Sequence, residues 1–269
     1  MAHQARKRFG QHFLTDPSII NAIVSRINPQ QVDRIIEIGP GLGAMTLPLL
    51  AQNIALELVE IDRDLVDYWQ KKNIQQITMY QADALNYDFA SWSKQAIEQI
   101  KNSKTNGKVK IVGNLPYNIS TPLLFHLMSA IDFVDEQLFM LQKEVVQRMV
   151  AKPGDSDYGR LSVMLQIRYH LEHCFDVPPT AFEPPPKVDS AIVIMYPKKN
   201  LHFSTPLWSA LEKLVAKAFS QRRKVLANNL SEYKDILNLD QQVLRSRAQD
   251  IDGQTYLEWA KILVQETER

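Results

Sequence analysis

The sequence predicts an α/β protein: a doubly wound, mainly parallel sheet followed by a smaller helical region. Three observations carry that expectation. Short apolar runs at 34–38, 54–61, 76–81 and 109–112 alternate with stretches of helical periodicity. The first three run into residues of ligand type, Gly39-Pro40-Gly41, Glu60 and Asp83, and the fourth delivers Asn114 to the same edge. Such residues belong on the carboxyl edge of a doubly wound sheet. Beyond Pro206 no strand pattern returns, which separates a first domain at 1–203 from a helical one at 204–269.

Length and composition bound the function. A chain of 269 residues holds one large core and a smaller appendage, and 45% hydrophobic with 23% charged residues is ordinary for a soluble protein. Net charge is +1, so any nucleic-acid binding has to use local patches. The single Cys174 excludes an intramolecular disulfide and fits a reducing compartment. No cysteine-enzyme motif surrounds it, and it reads as buried filler. No apolar run approaches membrane-spanning length and the basic start has no apolar segment behind it. A cytoplasmic protein without membrane or metal sites is expected. A monomer is expected too, since no exposed apolar stripe suggests a partner.

Taken in order, Arg6, Lys7 and Arg8 form a basic start that is either a solvated tail or an arm on phosphates. Asp16 and Pro17 are an N-cap and a first helical residue, and Ile19, Ile20, Ile23, Val24 and Ile27 recur at helical spacing. The strand 34–38 leads into Gly39-Pro40-Gly41-Leu42-Gly43 and a helix at 47–52. Glycines at such a turn let a ligand approach the backbone closely. Their Gly-x-Gly-x-Gly spacing misses the dinucleotide fingerprint and suits a nucleoside with an amino-acid tail better than a pyrophosphate. Glu60, near the end of strand 54–61, is placed to accept from ribose hydroxyls; without the glycine turn it would read as a solvated strand end. Asp62 and Asp64 read as caps of the helix 65–71. Asp83 follows strand 76–81 and is placed to accept from an adenine amine. A polar stretch holds a helix at 90–100. After strand 109–112 come a helix at 120–129, a strand at 136–141, a helix at 143–151, a loop at 152–159, a helix at 160–169 and a strand toward Val177. A last strand covers 191–196, and helices at 207–219 and 224–230 open the tail.

Two stretches stand out. Asn114-Leu115-Pro116-Tyr117-Asn118 is either an ordinary Asn-x-Pro turn or a grip for a flat base. In the second case the Asn carbonyl and a backbone carbonyl accept the two N–H bonds of an exocyclic amine, and Tyr117 stacks on the ring. Pro116 stiffens the turn. The run 177–190 is dense in proline and forms a rigid extended loop. Phe182 on it is either a second stacking face opposite Tyr117 or a plug into the core. In the tail, Lys213, Lys217, Arg222, Arg223 and Lys224 cluster around Phe219. With Arg222–Lys224 at a helix start, where the dipole disfavours positive charge, phosphate is the natural partner.

Gln11-His12-Phe13-Leu14, Glu37-Ile38-Gly39-Pro40-Gly41-Leu42-Gly43, Glu60, Asp83, Asn114-Leu115-Pro116-Tyr117-Asn118, the Phe182 loop and Phe219-Ser220-Gln221-Arg222-Arg223-Lys224 together closely resemble the ribosomal RNA adenine N6,N6-dimethyltransferases. The resemblance spans nearly the whole chain in family order. Size and helical tail look like the bacterial small-subunit enzymes. It implies a Rossmann-like class I S-adenosylmethionine-dependent methyltransferase with a small C-terminal helical domain, releasing S-adenosylhomocysteine. The implied substrate is a pair of adjacent adenosines in a hairpin near the 3′ end of 16S rRNA, in the small subunit or its precursor. Carried over by position, His12, Leu14, Gly39, Gly41, Glu60, Asp83 and Asn114 would contact the cofactor. His12 stands where related sequences often have Asn, which leaves open a contact by backbone or by side chain. Asn114, Leu115, Pro116, Tyr117 and Phe182 would hold the base, and Arg6, Lys7, Arg8, Lys187, Arg222, Arg223 and Lys224 would meet RNA. Two alternatives of different kind stand beside this: a large-subunit (23S) adenine methyltransferase of the antibiotic-resistance type, and an assembly or transcription factor that acts by binding. The glycine spacing disfavours a third, an NAD-dependent dehydrogenase.

Overall fold

The computed structural model describes residues 12–199, 201 and 203–267. In chain order the strands are β1 Phe13–Leu14, β2 Arg34–Ile38, β3 Leu56–Glu60, β4 Ile77–Gln81, β5 Val109–Asn114, β6 Glu136–Gln142, β7 Tyr169–Val177, β8 Phe182–Glu183 and β9 Ser190–Pro197. The helices are α1 Pro17–Ile27, α2 Thr46–Ala51, α3 Arg63–Lys72, α4 Phe89–Ser103, α5 Ser120–His126, α6 Lys143–Val150, α7 Arg160–Arg168, α8 Thr205–Ala218, α9 Leu226–Asn229, α10 Gln241–Arg245 and α11 Gly253–Thr267.

Local chemistry explains the boundaries. The Asp16 carboxylate accepts from the amides of Ser18 at 2.8 Å and Ile19 at 3.3 Å, and Pro17 takes the first helical position of α1. Asn28 ends that helix in the left-handed conformation, φ 44°. Asp62, fully buried, caps α3 through Asp64 N–H at 3.1 Å, whereas Asp64 sits in the first turn. The helix expected at 120–129 tightens after His126 into a 3-10 turn at Leu127–Ala130. Strand and helix ends otherwise fall within a few residues of the sequence pattern, as fraying elements do.

β2 to β6 pair in parallel and β9 lies antiparallel to β6, in the order β4-β3-β2-β5-β6-β9-β7. From β2 the chain runs outward through β3 and β4; β5 then returns to the other side of β2. The reversal sets the carboxyl ends of β2 and β5 side by side, the place where such sheets bind ligands. Parallel strands covered on both faces need continuous apolar sequence, and Ile35, Ile36, Leu58, Val109, Ile111 and Phe139 are all buried. A separate ribbon pairs β1 with β8.

The chain divides into two compact units, residues up to Val146 with Glu172–Pro197, and Gln147–Leu171 with Lys198 onward. This differs from the expected cut at 203/204. The reason is α7: Val163, Met164 and Leu165 are fully buried, and α7 packs on α8 and α11. Buried polar ties complete the second unit. Asn229 donates to the carbonyls of Ala218 at 2.6 Å and Gln221 at 3.2 Å, and Tyr256 donates to Ala248 at 2.8 Å. Arg222–Lys224 do not open a helix: they form a turn between a 3-10 turn at Phe219–Gln221 and α9, so the dipole argument for their charge falls away. Among the described residues no helix is long and apolar enough to cross a membrane.

Candidate active site and cofactor cavity

A cavity of about 480 Å³ opens at the β2/β5 switch, within the range of small-molecule sites. Its floor is the turn after β2. Gly41 and Gly43 have φ of +55° and +99°, in the region that favours glycine. A Cβ on Gly43 would stand 2.7 Å from the Trp69 ring, whose indole N–H donates to the Gly41 carbonyl at 3.0 Å. The turn is thus shaped from behind by Trp69 and presents bare backbone to the cavity.

Two carboxylates line the same space. Glu60, at the end of β3, accepts from the amides of Ile61 and Asp62, each at 2.9 Å. Burial raises its pKa, and those amides oppose the shift. Glu37 lies on β2 with 1% of its surface exposed and accepts from the Thr46 hydroxyl at 2.7 Å. Burial first, then the nearby Glu60 charge, raises its pKa to about 7 against that hydrogen bond. No lysine or arginine is among the described lining residues. Such a donor set fits a nucleoside with a cationic tail and opposes a pyrophosphate. The residues present therefore fit S-adenosylmethionine, with Glu60 as acceptor for hydroxyls and the bare glycine turn as bed.

The other wall is the turn after β5. Asn114 Nδ2 donates to the His12 carbonyl at 3.2 Å, which directs the amide oxygen of Asn114 away from that strap. The Leu115 amide donates to Met140 at 3.1 Å, and Ile119 closes the turn onto Pro116 at 3.2 Å. The Tyr117 hydroxyl stands 2.6 Å from Ser190 Oγ. Its ring lies against His12, with centroids 6.0 Å apart and planes 24° apart. The strap carrying His12 is itself fastened. His12 Nδ1 lies 2.8 Å from the Pro184 carbonyl, Thr15 N–H donates to Ala181 at 2.8 Å, and Phe13 and Leu14 pair with Glu183 and Phe182.

His12, Leu14, Gly39, Gly41, Glu60, Asn114, Leu115, Pro116 and Tyr117 are thereby brought to one cavity. Two expected members are not. Asp83 is absent from the lining: its carboxylate accepts from Leu85 N–H at 2.9 Å and Asn86 Nδ2 at 3.0 Å, holding its own turn. Phe182 is 4% exposed and belongs to the core with Leu14, because pairing of β8 with β1 turns both side chains inward. The expectation of a free Phe182 face opposite Tyr117 is corrected; the ring found beside Tyr117 is His12. Sequence reasoning passed over Glu37 as a site residue, although a carboxylate inside an apolar strand directly before a glycine turn is a signal. Met140 and the α1 residues Pro17, Ile20 and Asn21 also line the cavity, and nothing local in their sequence marks them. Lys187, Arg222, Arg223 and Lys224 are exposed. Arg222 donates to the carbonyls of Ser156 and Tyr158. Arg6, Lys7 and Arg8 lie outside the described residues.

Comparison with known proteins gives a consistent picture. The family model described as ribosomal RNA adenine dimethylase matches residues 2–263. A protein of Cupriavidus metallidurans named ribosomal RNA small subunit methyltransferase A is 49% identical over 270 residues, 97% of this chain and 94% of that one. A protein of the same name from Bordetella avium is 53% identical over 232 residues, 86% of this chain and 84% of that one. Among solved structures, a dimethyladenosine transferase from Plasmodium falciparum superposes with TM-score 0.74 at 24% identity, covering 96% of this chain and 98% of that one. The 23S rRNA methyltransferase ErmE superposes with TM-score 0.64 at 21% identity over 93% and 99%, a likeness of fold.

Proposed function

The chain belongs to the ribosomal RNA adenine dimethylase family, and from that premise we propose that it dimethylates the N6 amines of two adjacent adenosines in a hairpin near the 3′ end of 16S rRNA. Within the family, near-full-length identity of 48–53% to proteins named for the small subunit separates this reading from a 23S enzyme and from a factor that only binds. S-adenosylmethionine is the methyl donor and S-adenosylhomocysteine the product. The observation that carries the chemistry is the Asn114–Tyr117 turn on the wall of a cavity lined by two carboxylates.

S-adenosylmethionine supplies a methyl group on a positively charged sulfur, open to attack by a nitrogen lone pair. The work of the protein is positioning and electrostatics. The Asn114 amide oxygen and the Leu115 carbonyl accept the two N–H bonds of the amine and favour a more tetrahedral, nucleophilic nitrogen. Pro116 keeps those acceptors from drifting, and Tyr117 stacks on the extruded base. No strong general base is needed, since the amine becomes acidic once alkylated and sheds its proton. Glu60 takes the ribose hydroxyls, and the glycine turn lets the cofactor lie on backbone. Leu14 and His12 cover the site from the strap. Phe182 supports that strap from the core, and each Asp83 oxygen keeps a second lone pair beside its one local hydrogen bond, so the carboxylate can accept from a cofactor amine without giving either bond up.

The sheet-based unit carries catalysis and the helical unit, with exposed Arg223 and Lys224, supplies phosphate contacts, assisted by Lys187 and the basic start at Arg6–Arg8. The protein acts as a cytoplasmic monomer on the small subunit or its precursor. The test is transfer of labelled methyl to unmethylated small subunits, large subunits and naked RNA, with the modified bases mapped. Two dimethyladenosines on small-subunit RNA are expected; label on large-subunit RNA, or binding without label, would replace this reading.

A further inference from the structure

Tyr117 is held from two directions by residues far away in sequence. Its hydroxyl is 2.6 Å from Ser190 Oγ, and Ser190 is fully buried at the start of β9, in register with Gln142 of β6. A side chain so placed has no freedom to follow the tyrosine. Its partner is fixed by the sheet. On the other side the His12 ring lies nearly parallel to Tyr117. That ring is fixed in turn: Nδ1 faces the Pro184 carbonyl at 2.8 Å, and a carbonyl only accepts, so Nδ1 carries the proton. The His12 carbonyl meanwhile accepts from Asn114. His12 thus touches both functional members of the catalytic turn, with its ring on Tyr117 and its backbone on Asn114.

A free tyrosine side chain rotates about two bonds, and stacking on a base needs one plane. We propose that His12 and Ser190 are positioning residues that fix the plane of Tyr117 for the target base, and that the His12 side chain serves the base rather than the cofactor. The proposal rests on the reading of the Asn114–Tyr117 turn as the base grip. It also answers how a histidine can stand at this position: its ring N–H spans to Pro184 while its face supplies a contact surface for Tyr117. Neither residue touches a reacting atom, so both act through Tyr117 or not at all.

The full-length protein with unmethylated small subunits provides the test. Ser190→Ala and Tyr117→Phe remove the same hydrogen bond from its two ends, and His12→Ala removes the ring. Each should lower turnover about three- to tenfold, the effect of one neutral hydrogen bond or ring contact. Affinity for S-adenosylhomocysteine, measured by calorimetry, should stay within about twofold. In a Tyr117→Ala background, Ser190→Ala and His12→Ala should change turnover no further, since the group they act through is gone. His12→Asn, which keeps a donor for Pro184 and loses the ring, should resemble His12→Ala. Equal losses in the wild-type and Tyr117→Ala backgrounds would overturn the proposal, as would a parallel loss of S-adenosylhomocysteine binding. Unchanged turnover in Tyr117→Ala itself would overturn the base grip and the proposal with it, and so separates the two failures. Tyr117→Phe leaves β9 untouched and decides the matter should Ser190→Ala fail to fold.

Discussion

At Glu37 a single carboxyl group faces both the fold and the site. Buried in β2 beside the Thr46 hydroxyl, with the Glu60 charge nearby, it has its pKa raised to about 7 from an ordinary 4.5. A raised carboxyl binds its proton more tightly in the folded chain than in the unfolded one. Folding stability therefore falls as pH rises from about 4.5, and the loss is complete above about 7. The size is on the order of 3 kcal/mol. Denaturant unfolding at pH 5 and pH 8 should show this difference in the wild type, and Glu37→Gln should largely remove it. Asn114, on the proposed base grip, provides the opposite test. Asn114→Ala should keep S-adenosylhomocysteine affinity within about tenfold, since the carbonyls and carboxylates of the bed remain, and should cut methyl transfer by at least about a hundredfold. Equal losses in binding and turnover would assign Asn114 to the cofactor alone. Both residues are visible in the sequence as polar groups at the ends of apolar strands. Their different duties are not, because burial of Glu37 depends on strands that pair with β2 from 21 to 75 residues away.

Elements are locked by a few polar ties at the sheet's far edge and by shape at its ligand edge. Lys110 on β5 is 3% exposed; its ammonium lies 3.0 Å from Asp33 and 3.5 Å from Glu136, and donates to the carbonyls of Ile27 at 2.8 Å and Asn28 at 3.0 Å. It thereby ties the C-terminus of α1 to the sheet. Lys110→Ala would leave the buried Asp33 carboxylate without its cation, held only by the amides of Gln30 and Lys108, at a cost of about 3 kcal/mol in urea unfolding. At the ligand edge, Gly43→Ala meets both a left-handed φ of +99° and the Trp69 ring. A loss of about 1–3 kcal/mol is expected, together with weaker S-adenosylhomocysteine binding as the turn is pushed into the cavity. The glycine spacing was legible as a bed for a nucleoside. Trp69, which sculpts that bed from α3, was not: a tryptophan at helical spacing reads as core, and its indole bond to Gly41 spans 28 residues.

On the scale of the whole molecule, the basic turn of the helical unit divides its labour. Arg222 sends a single guanidinium nitrogen, Nη2, to the carbonyls of Ser156 and Tyr158, tying it to the 152–159 loop, and Arg223 and Lys224 are exposed beside it. Binding of the protein to small-subunit RNA should weaken with salt. Arg223→Ala and Lys224→Ala should each reduce the log–log salt slope by about 1. Arg222→Lys keeps the charge but shortens the reach of the donor that meets Ser156 and Tyr158: the slope should hold, and amides of the 152–159 loop should exchange faster by hydrogen exchange. A slope reduced by Arg222→Lys as much as by Arg223→Ala would make Arg222 a phosphate ligand after all.

The sequence by itself determined the alternation of strands and helices, the caps at Asp16 and Asp62, the glycine turn and the stiff Asn-Leu-Pro-Tyr turn. These depend on periodicity, φ preference and side-chain-to-backbone bonds a few residues apart, all properties of a short stretch of chain. It also determined family and reaction class, through motifs kept in order along the chain. Only the tertiary structure decided that Phe182 faces the core while His12 meets Tyr117, and that α7 packs with α8 and α11. Each of those outcomes joins partners distant in sequence, from 37 residues between the end of α7 and the start of α8 to 168 between Leu14 and Phe182. Which partner wins depends on the pairing of β1 with β8 and the faces left uncovered by the sheet, and no local pattern encodes either.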